Sequence, residues 1–178
     1  MDRRVALIGF GEAGRTFATA GGWGADAHVY DLLVDDADMR DAMAQAGVKI
    51  CENAGESVAD APLILSLVTA DQALNAASAA AASMQPGALF CDMNSIAPQT
   101  KQAAAQIIKA AGGHYVDVAV MAPVNPAKLS VPLLLAGAMA EQAQARLAAL
   151  GFANIRIAGD AVGRASSIKM IRSVMVKG

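Results

Sequence analysis

The stretch Val5-Ala6-Leu7-Ile8-Gly9-Phe10-Gly11-Glu12-Ala13-Gly14 decides how the chain is read. A short apolar run ends in G-x-G-x-x-G, and a helix-forming segment follows, Glu12–Ala20, stopped by Gly21-Gly22. The apolar run suits a strand buried on both faces. The first glycine allows a tight turn, the second lets a pyrophosphate approach the backbone, and the third lets helix and strand pack closely. The first N–H groups of such a helix have no partner within it, and the positive end of its dipole lies behind them. The same residues, beginning at Met1, also resemble the front of an export signal. The six-residue apolar run stops at the glycines, with Glu12 and Arg15 beyond, so a first strand is expected instead.

Asp31 follows Gly11 by twenty residues, at the end of a second expected strand, Ala27–Tyr30. There a carboxylate accepts hydrogen bonds from an adenosine ribose and repels a 2′-phosphate. The next residues, Leu32-Leu33-Val34-Asp35-Asp36, contain no base. NAD is therefore favoured over NADP, which stays possible. A methyltransferase also pairs a glycine-rich first loop with an acidic second strand end, so S-adenosylmethionine stays open on this pair alone.

The same punctuation continues outward. Strands are expected at Val48–Cys51, Pro62–Leu67, Gly87–Cys91 and His114–Val120. Helices are expected at Asp36–Gln45, from the capping-box spacing Thr69…Gln72 to about Ser83, and from near Pro98 to Gly112. The alternation implies an α/β fold of Rossmann type, a doubly wound, mostly parallel sheet. Beyond Val120 the rhythm changes. Met121–Ser130 reads as a loop, Val131–Ala136 and Asn154–Ile157 as strands, Ala140–Leu150 and Ala165–Lys177 as helices. The expected division is a dinucleotide-binding domain over 1–163 and the start of an interdomain helix over 164–178, with a further domain or partner chain expected to cover that helix.

Composition agrees with one domain able to bury a core: 178 residues, 55 % hydrophobic, net charge -2. Alanine is 42 of those residues, so the apolar fraction overstates greasiness. Seven aromatics and a slightly acidic balance argue against nucleic-acid binding. Cys51 and Cys91 with two histidines make no disulfide framework and no metal site of recognisable spacing. No stretch reaches the roughly 18 apolar residues that span a bilayer. A cytoplasmic location is the expectation.

In open parallel sheets ligands gather beyond the carboxyl ends of the strands. Those ends are Gly9–Gly11, Asp31, Val68-Thr69, Asn94-Ser95 and Met121-Ala122. Asn94 and Ser95 suit a ribose, an amide or a substrate carboxylate, or an ordinary helix cap. On the last helix, Lys169, Arg172 and Ser173 can share one face. A half-buried lysine beside a cation has a lowered pKa and suits general acid–base work. Two cations there would also suit an anionic substrate. Read from the residues alone, a solvated Lys and Arg on an amphipathic helix is the favoured reading.

These motifs resemble the β-hydroxyacid dehydrogenases, the group of 3-hydroxyisobutyrate and 6-phosphogluconate dehydrogenases, over essentially the whole chain. Val5–Gly14 is similar to that family's nucleotide fingerprint. Leu67-Val68-Thr69 sits where the family contacts the cofactor, and Asp92-Met93-Asn94-Ser95 with Pro98 resembles its D-x-S-T-x-x-P segment. Asp117–Pro123 falls at its D-A-P-V-S-G-G substrate loop. Gly163 and Lys169 are spaced as in its G-x-G-x-x-x-K motif. Val116–Val124 and Gly163–Gly178 are similar to a bacterial phosphogluconate-dehydrogenase-like subgroup.

The resemblance implies hydride transfer between a β-hydroxyacid or related alcohol and a nicotinamide cofactor. It implies Lys169 as acid/base, and Asn94, Ser95, Met121, Ala122, Arg172 and Ser173 at the substrate. It implies Gly9, Phe10, Gly11, Glu12, Ala13, Gly14, Asp31, Val68, Thr69 and Ser95 at the cofactor. It also implies a homodimer built through a helical domain, without which turnover would be poor. Met121-Ala122-Pro123 departs from Ser-Gly-Gly, Ala165 from the second glycine, and Arg172 and Ser173 from two asparagines, so substrate identity does not carry over. A non-catalytic dinucleotide-binding module is the alternative.

Overall fold

A computed structural model describes residues 2–177. The strands are β1 (Val5–Ile8), β2 (Ala27–Tyr30), β3 (Lys49–Ile50), β4 (Leu63–Ser66), β5 (Leu89–Asp92), β6 (His114–Val120), β7 (Leu133–Ala136) and β8 (Ile155–Gly159). The helices are α1 (Glu12–Gly21), α2 (Ala37–Ala46), α3 (Ala54–Val58), α4 (Ala73–Ala81), α5 (Pro98–Ala110), α6 (Ala140–Ala149) and α7 (Arg164–Lys177).

One sheet runs in the order β3-β2-β1-β4-β5-β6-β7-β8, and only the β6–β7 pair is antiparallel. The chain therefore reverses its direction of winding between β1 and β4, which opens a crevice beyond their carboxyl ends. Alternating side chains of the strands feed two apolar layers. Leu7, Val29, Leu65, Cys91 and Val116 face α1, α2 and α6. Ala6, Ile64 and Phe90 face α3, α4 and α5. Every residue of β1, β4 and β5 is buried, as strands covered on both faces require.

Four elements differ locally from the sequence expectation. The third strand shortens to two residues at the sheet edge. Helix α3 was not expected, because five residues are too few for a periodic signal; Asn53 starts it by accepting from the Glu56 N–H at 2.8 Å. The Thr69 capping box does not form. The Thr69 hydroxyl donates to Asp71 at 2.6 Å, and residues 70–72 make a 3-10 turn before α4 begins. The eighth strand starts and ends later than expected and runs on to Gly159.

The first turn of α7 packs on β6, with Ala165 and Ser166 buried. Further on, Ile171, Val174, Met175 and Val176 stand exposed. No helix among the described residues is long and apolar enough to cross a membrane.

Candidate functional site

The glycine loop forms the floor of the crevice. Gly9 has φ +105°, and a Cβ there would lie 2.1 Å from the Leu67 carbonyl oxygen, so only glycine fits. At Gly14 a Cβ would lie 2.7 Å from the Gly9 carbonyl oxygen, which explains the close seating of α1 on β1. Gly11 is different. A Cβ there would meet nothing within 4 Å, and Gly11 is the N-cap of α1. The space a side chain would fill is open and lies before the free donors of the first turn. Phosphates fit that cradle.

Asp31 binds the loop from the neighbouring strand. Its carboxylate accepts from the Phe10 N–H at 2.7 Å and the Leu33 N–H at 2.8 Å. The Phe10 side chain is itself core, so Phe10 serves the site through its backbone only. Glu12 is turned toward the β6–β7 loop, where Asn125 Nδ2 donates to its carboxylate at 3.2 Å. Ala13 is half-buried against the core.

A cavity of about 720 Å³ opens beside this loop, at the carboxyl ends of β1, β2 and β4. Gly9, Gly11, Asp31, Val68 and Thr69 line it, as the sequence suggested. Its walls are mostly apolar, from Leu32 and Leu33 on one side to Ala76 on α4. Asn53, Gln72 and Asn75 add polar groups that the sequence reading missed. No lysine or arginine lines it among the described residues. The nearest basic group along the chain, Arg40 on α2, is bound to Glu52 at 3.0 Å and to the Val34 carbonyl at 3.1 Å.

The second half of the site lies at the ends of β5 and β6. Lys169 Nζ donates to Ser95 Oγ at 2.9 Å, so the structure brings together two residues that the sequence had singled out far apart. Lys169 is half-buried, and its pKa is lowered, first by burial and then by the charge of Lys101. The cationic neighbour is therefore Lys101 on α5, where the sequence reading had looked to Arg172. Arg172 and Ser173 are exposed one turn further along α7 and make no side-chain hydrogen bond among the described residues. Met121 is half-buried and Ala122 exposed, on the loop after β6.

Asn94 lies inward of Ser95. It is buried, and both ends of its amide are engaged: Oδ1 accepts from the Val68 N–H at 2.7 Å, and Nδ2 donates to Ser66 Oγ at 2.9 Å. It ties the cavity wall to the loop that carries Ser95.

Beneath both halves sits a cluster that the sequence reading did not assemble. Lys101 is fully buried, 3.4 Å from Asp92 and 3.2 Å from Asp117, with both carboxylates equally buried. It also donates to the Asp92 and Val118 carbonyls. The Tyr115 hydroxyl donates to Asp92 at 2.7 Å; burial first, then the Asp92 charge, push its pKa far above the ordinary tyrosine value. One signal was present: Lys101 is three and seven residues before Ala104 and Ile108, on the buried face of α5.

Residues 4–154 match the family described as the NAD binding domain of 6-phosphogluconate dehydrogenase. The chain belongs to this family. No curated protein matches it by sequence. Among solved structures, a conserved hypothetical protein from Sinorhizobium meliloti 1021 is 39 % identical, with TM-score 0.92, over 99 % of this chain and 60 % of its own. A conserved protein of unknown function, described as structurally similar to 3-hydroxyacid dehydrogenases, is 30 % identical with TM-score 0.83, over 98 % of this chain and 64 % of its own. The 3-hydroxyisobutyrate dehydrogenase of Mycobacterium tuberculosis shares the fold at 21 % identity and TM-score 0.84, over 99 % and 60 %. The chain thus spans about three fifths of the length of these relatives. It carries the NAD-binding domain of this family on an eight-stranded Rossmann-like sheet.

Proposed function

We propose that this domain binds NAD in preference to NADP and supplies the proton-transfer group for oxidation of a β-hydroxyacid or related alcohol. The observation that carries the reading is the Lys169–Ser95 contact at the carboxyl end of the sheet, on the far side of the Asn94 tie from the cavity.

Gly9–Gly14 would hold the pyrophosphate through backbone N–H groups, and Asp31 the adenosine ribose. Val68, Thr69 and Ser95 would hold the part nearer the nicotinamide. The open cradle at Gly11 supports the fit, and the Asp31 carboxylate in a wall without bases supports NAD. When bound, the nicotinamide supplies the hydride acceptor. Lys169 Nζ takes the substrate's hydroxyl proton during oxidation and returns it during reduction. Its pKa, lowered by burial and by the charge of Lys101, makes the neutral amine more accessible than in an ordinary lysine. Ser95 aims that nitrogen. Met121 and Ala122 form an apolar wall, and Arg172 and Ser173 lie one turn beyond Lys169, placed for a substrate carboxylate once that side is covered. The exposed apolar residues of α7 are the surface that a covering domain would use.

The test offers NAD and short β-hydroxyacids, with L-serine first because it is named with the M. tuberculosis relative. Turnover is expected to fall about 100-fold or more in Lys169→Ala, while NADH binding is kept. Turnover untouched by that substitution overturns the assignment.

A further inference from the structure

Lys169 and Ser95 sit on different elements, and each hangs from the same buried ion cluster. β5 and β6 pair in parallel with Asp92 opposite Asp117, and Lys101 is inserted between the two carboxylates. Each carboxylate also holds one arm of the site. Asp92 accepts from the Asn94 N–H at 3.0 Å, which fixes the turn that ends in Ser95. Asp117 accepts from the Gly163 N–H at 3.0 Å, the Ser166 N–H at 3.1 Å and the Ser166 hydroxyl at 2.6 Å. Asp117 therefore caps α7 from a neighbouring strand. Ser166 lies three residues before Lys169, one helical turn away on the same side.

We propose that Asp117 and Ser166 are positioning residues. Through the Asp92–Lys101–Asp117 cluster they lock the first turn of α7 to the end of β5, and so fix the distance from Lys169 Nζ to Ser95 Oγ. The proposal rests on the role given to Lys169 above. Packing alone does not call for this cluster, since apolar residues of similar volume stabilise a sheet at least as well as buried ions. What the ions add is direction. A carboxylate that accepts two N–H groups and a hydroxyl admits one register and one orientation of the helix start.

The test reads Lys169 in the chain itself, without cofactor or substrate. Lysine labelled with carbon-13 at Cε is titrated by NMR, with Lys169→Arg to assign the signal. Ser166→Ala removes one hydrogen bond and no charge. With Lys169 released into water, its midpoint is expected to rise toward the ordinary lysine value. Amides 167–171 should exchange at least about tenfold faster, the factor for one hydrogen bond to a carboxylate, while β1 and β4 exchange as before. Asp117→Asn should accelerate the same amides further. Met43→Ala, in the opposite apolar layer, lowers stability and should leave the Lys169 midpoint unmoved. An unchanged midpoint and unchanged α7 exchange in Ser166→Ala overturn the proposal, as does an equal shift in Met43→Ala. Failure of the dehydrogenase reading shows as turnover untouched by Lys169→Ala and leaves these readouts standing.

Discussion

Lys169 Nζ and Ser95 Oγ meet at 2.9 Å across 74 residues of chain, one from the last helix and one from the loop after β5. The contact ties α7 to the carboxyl end of β5. It holds a cation half out of water, and that has a consequence for stability. The pKa of Lys169 in the fold is below the ordinary 10.5, so the unfolded chain binds the proton more tightly. The protonated group therefore costs stability at low pH. That cost fades as pH rises from the lowered value toward 10.5, where both states lose the proton. Lys169→Met should raise the urea midpoint at about pH 6 by more than at about pH 10. A difference independent of pH would contradict the burial.

The glycines of the loop divide by role, and two substitutions separate them. Gly9→Ala places a methyl against the Leu67 carbonyl at φ +105°, and should cost more than about 2 kcal/mol in thermal or urea unfolding. Gly11→Asp should leave stability equal or slightly higher, since aspartate is a better N-cap than glycine. It puts a carboxylate into the open cradle, and should weaken NADH binding by about 100-fold. Loss of stability in Gly11→Asp, or unchanged binding, would contradict the division.

Tyr115→Phe removes the hydroxyl that satisfies the second oxygen of buried Asp92. The aromatic stack on Phe90, with centroids 5.9 Å apart, is kept. The cost should be about 1.5–3 kcal/mol, the range for a hydrogen bond to a charged group. A neutral result would mean that water replaces the hydroxyl.

How much of this was legible in the sequence follows from the range of each interaction. The Gly9–Gly14 loop and Asp31 are local signals: a strand end, a turn and a helix start, and a carboxylate at the next strand end. The structure has these elements where the sequence puts them, as it has the strands that buried aliphatic runs announce. The antiparallel β7 was visible only as a break in rhythm, because pairing direction is a tertiary property. Lys101 was not read as part of a site. A single lysine on an alanine-rich helix carries no sign of its partners until β5 and β6 bring Asp92 and Asp117 beside it. For the same reason the lowered pKa of Lys169 was expected from Arg172, its neighbour in sequence, whereas the charge acting on it is Lys101, its neighbour in space. The sequence leaves Asn94 open between a ligand contact and a helix cap, and in the fold both ends of its amide tie the loop after β5 to β4 and to Val68 beyond it.

The cofactor site is tested most directly by titrating the chain with NADH and, separately, NADPH. Energy transfer from Trp23 gives the signal; this single tryptophan is buried beyond α1, its indole donating to the Leu150 carbonyl at 2.8 Å. With the Asp31 carboxylate lining the cavity beside the glycine loop and no base there, saturable binding tighter for NADH by at least about tenfold is expected. Tighter NADPH binding, or no binding of either by the folded chain, would contradict the account.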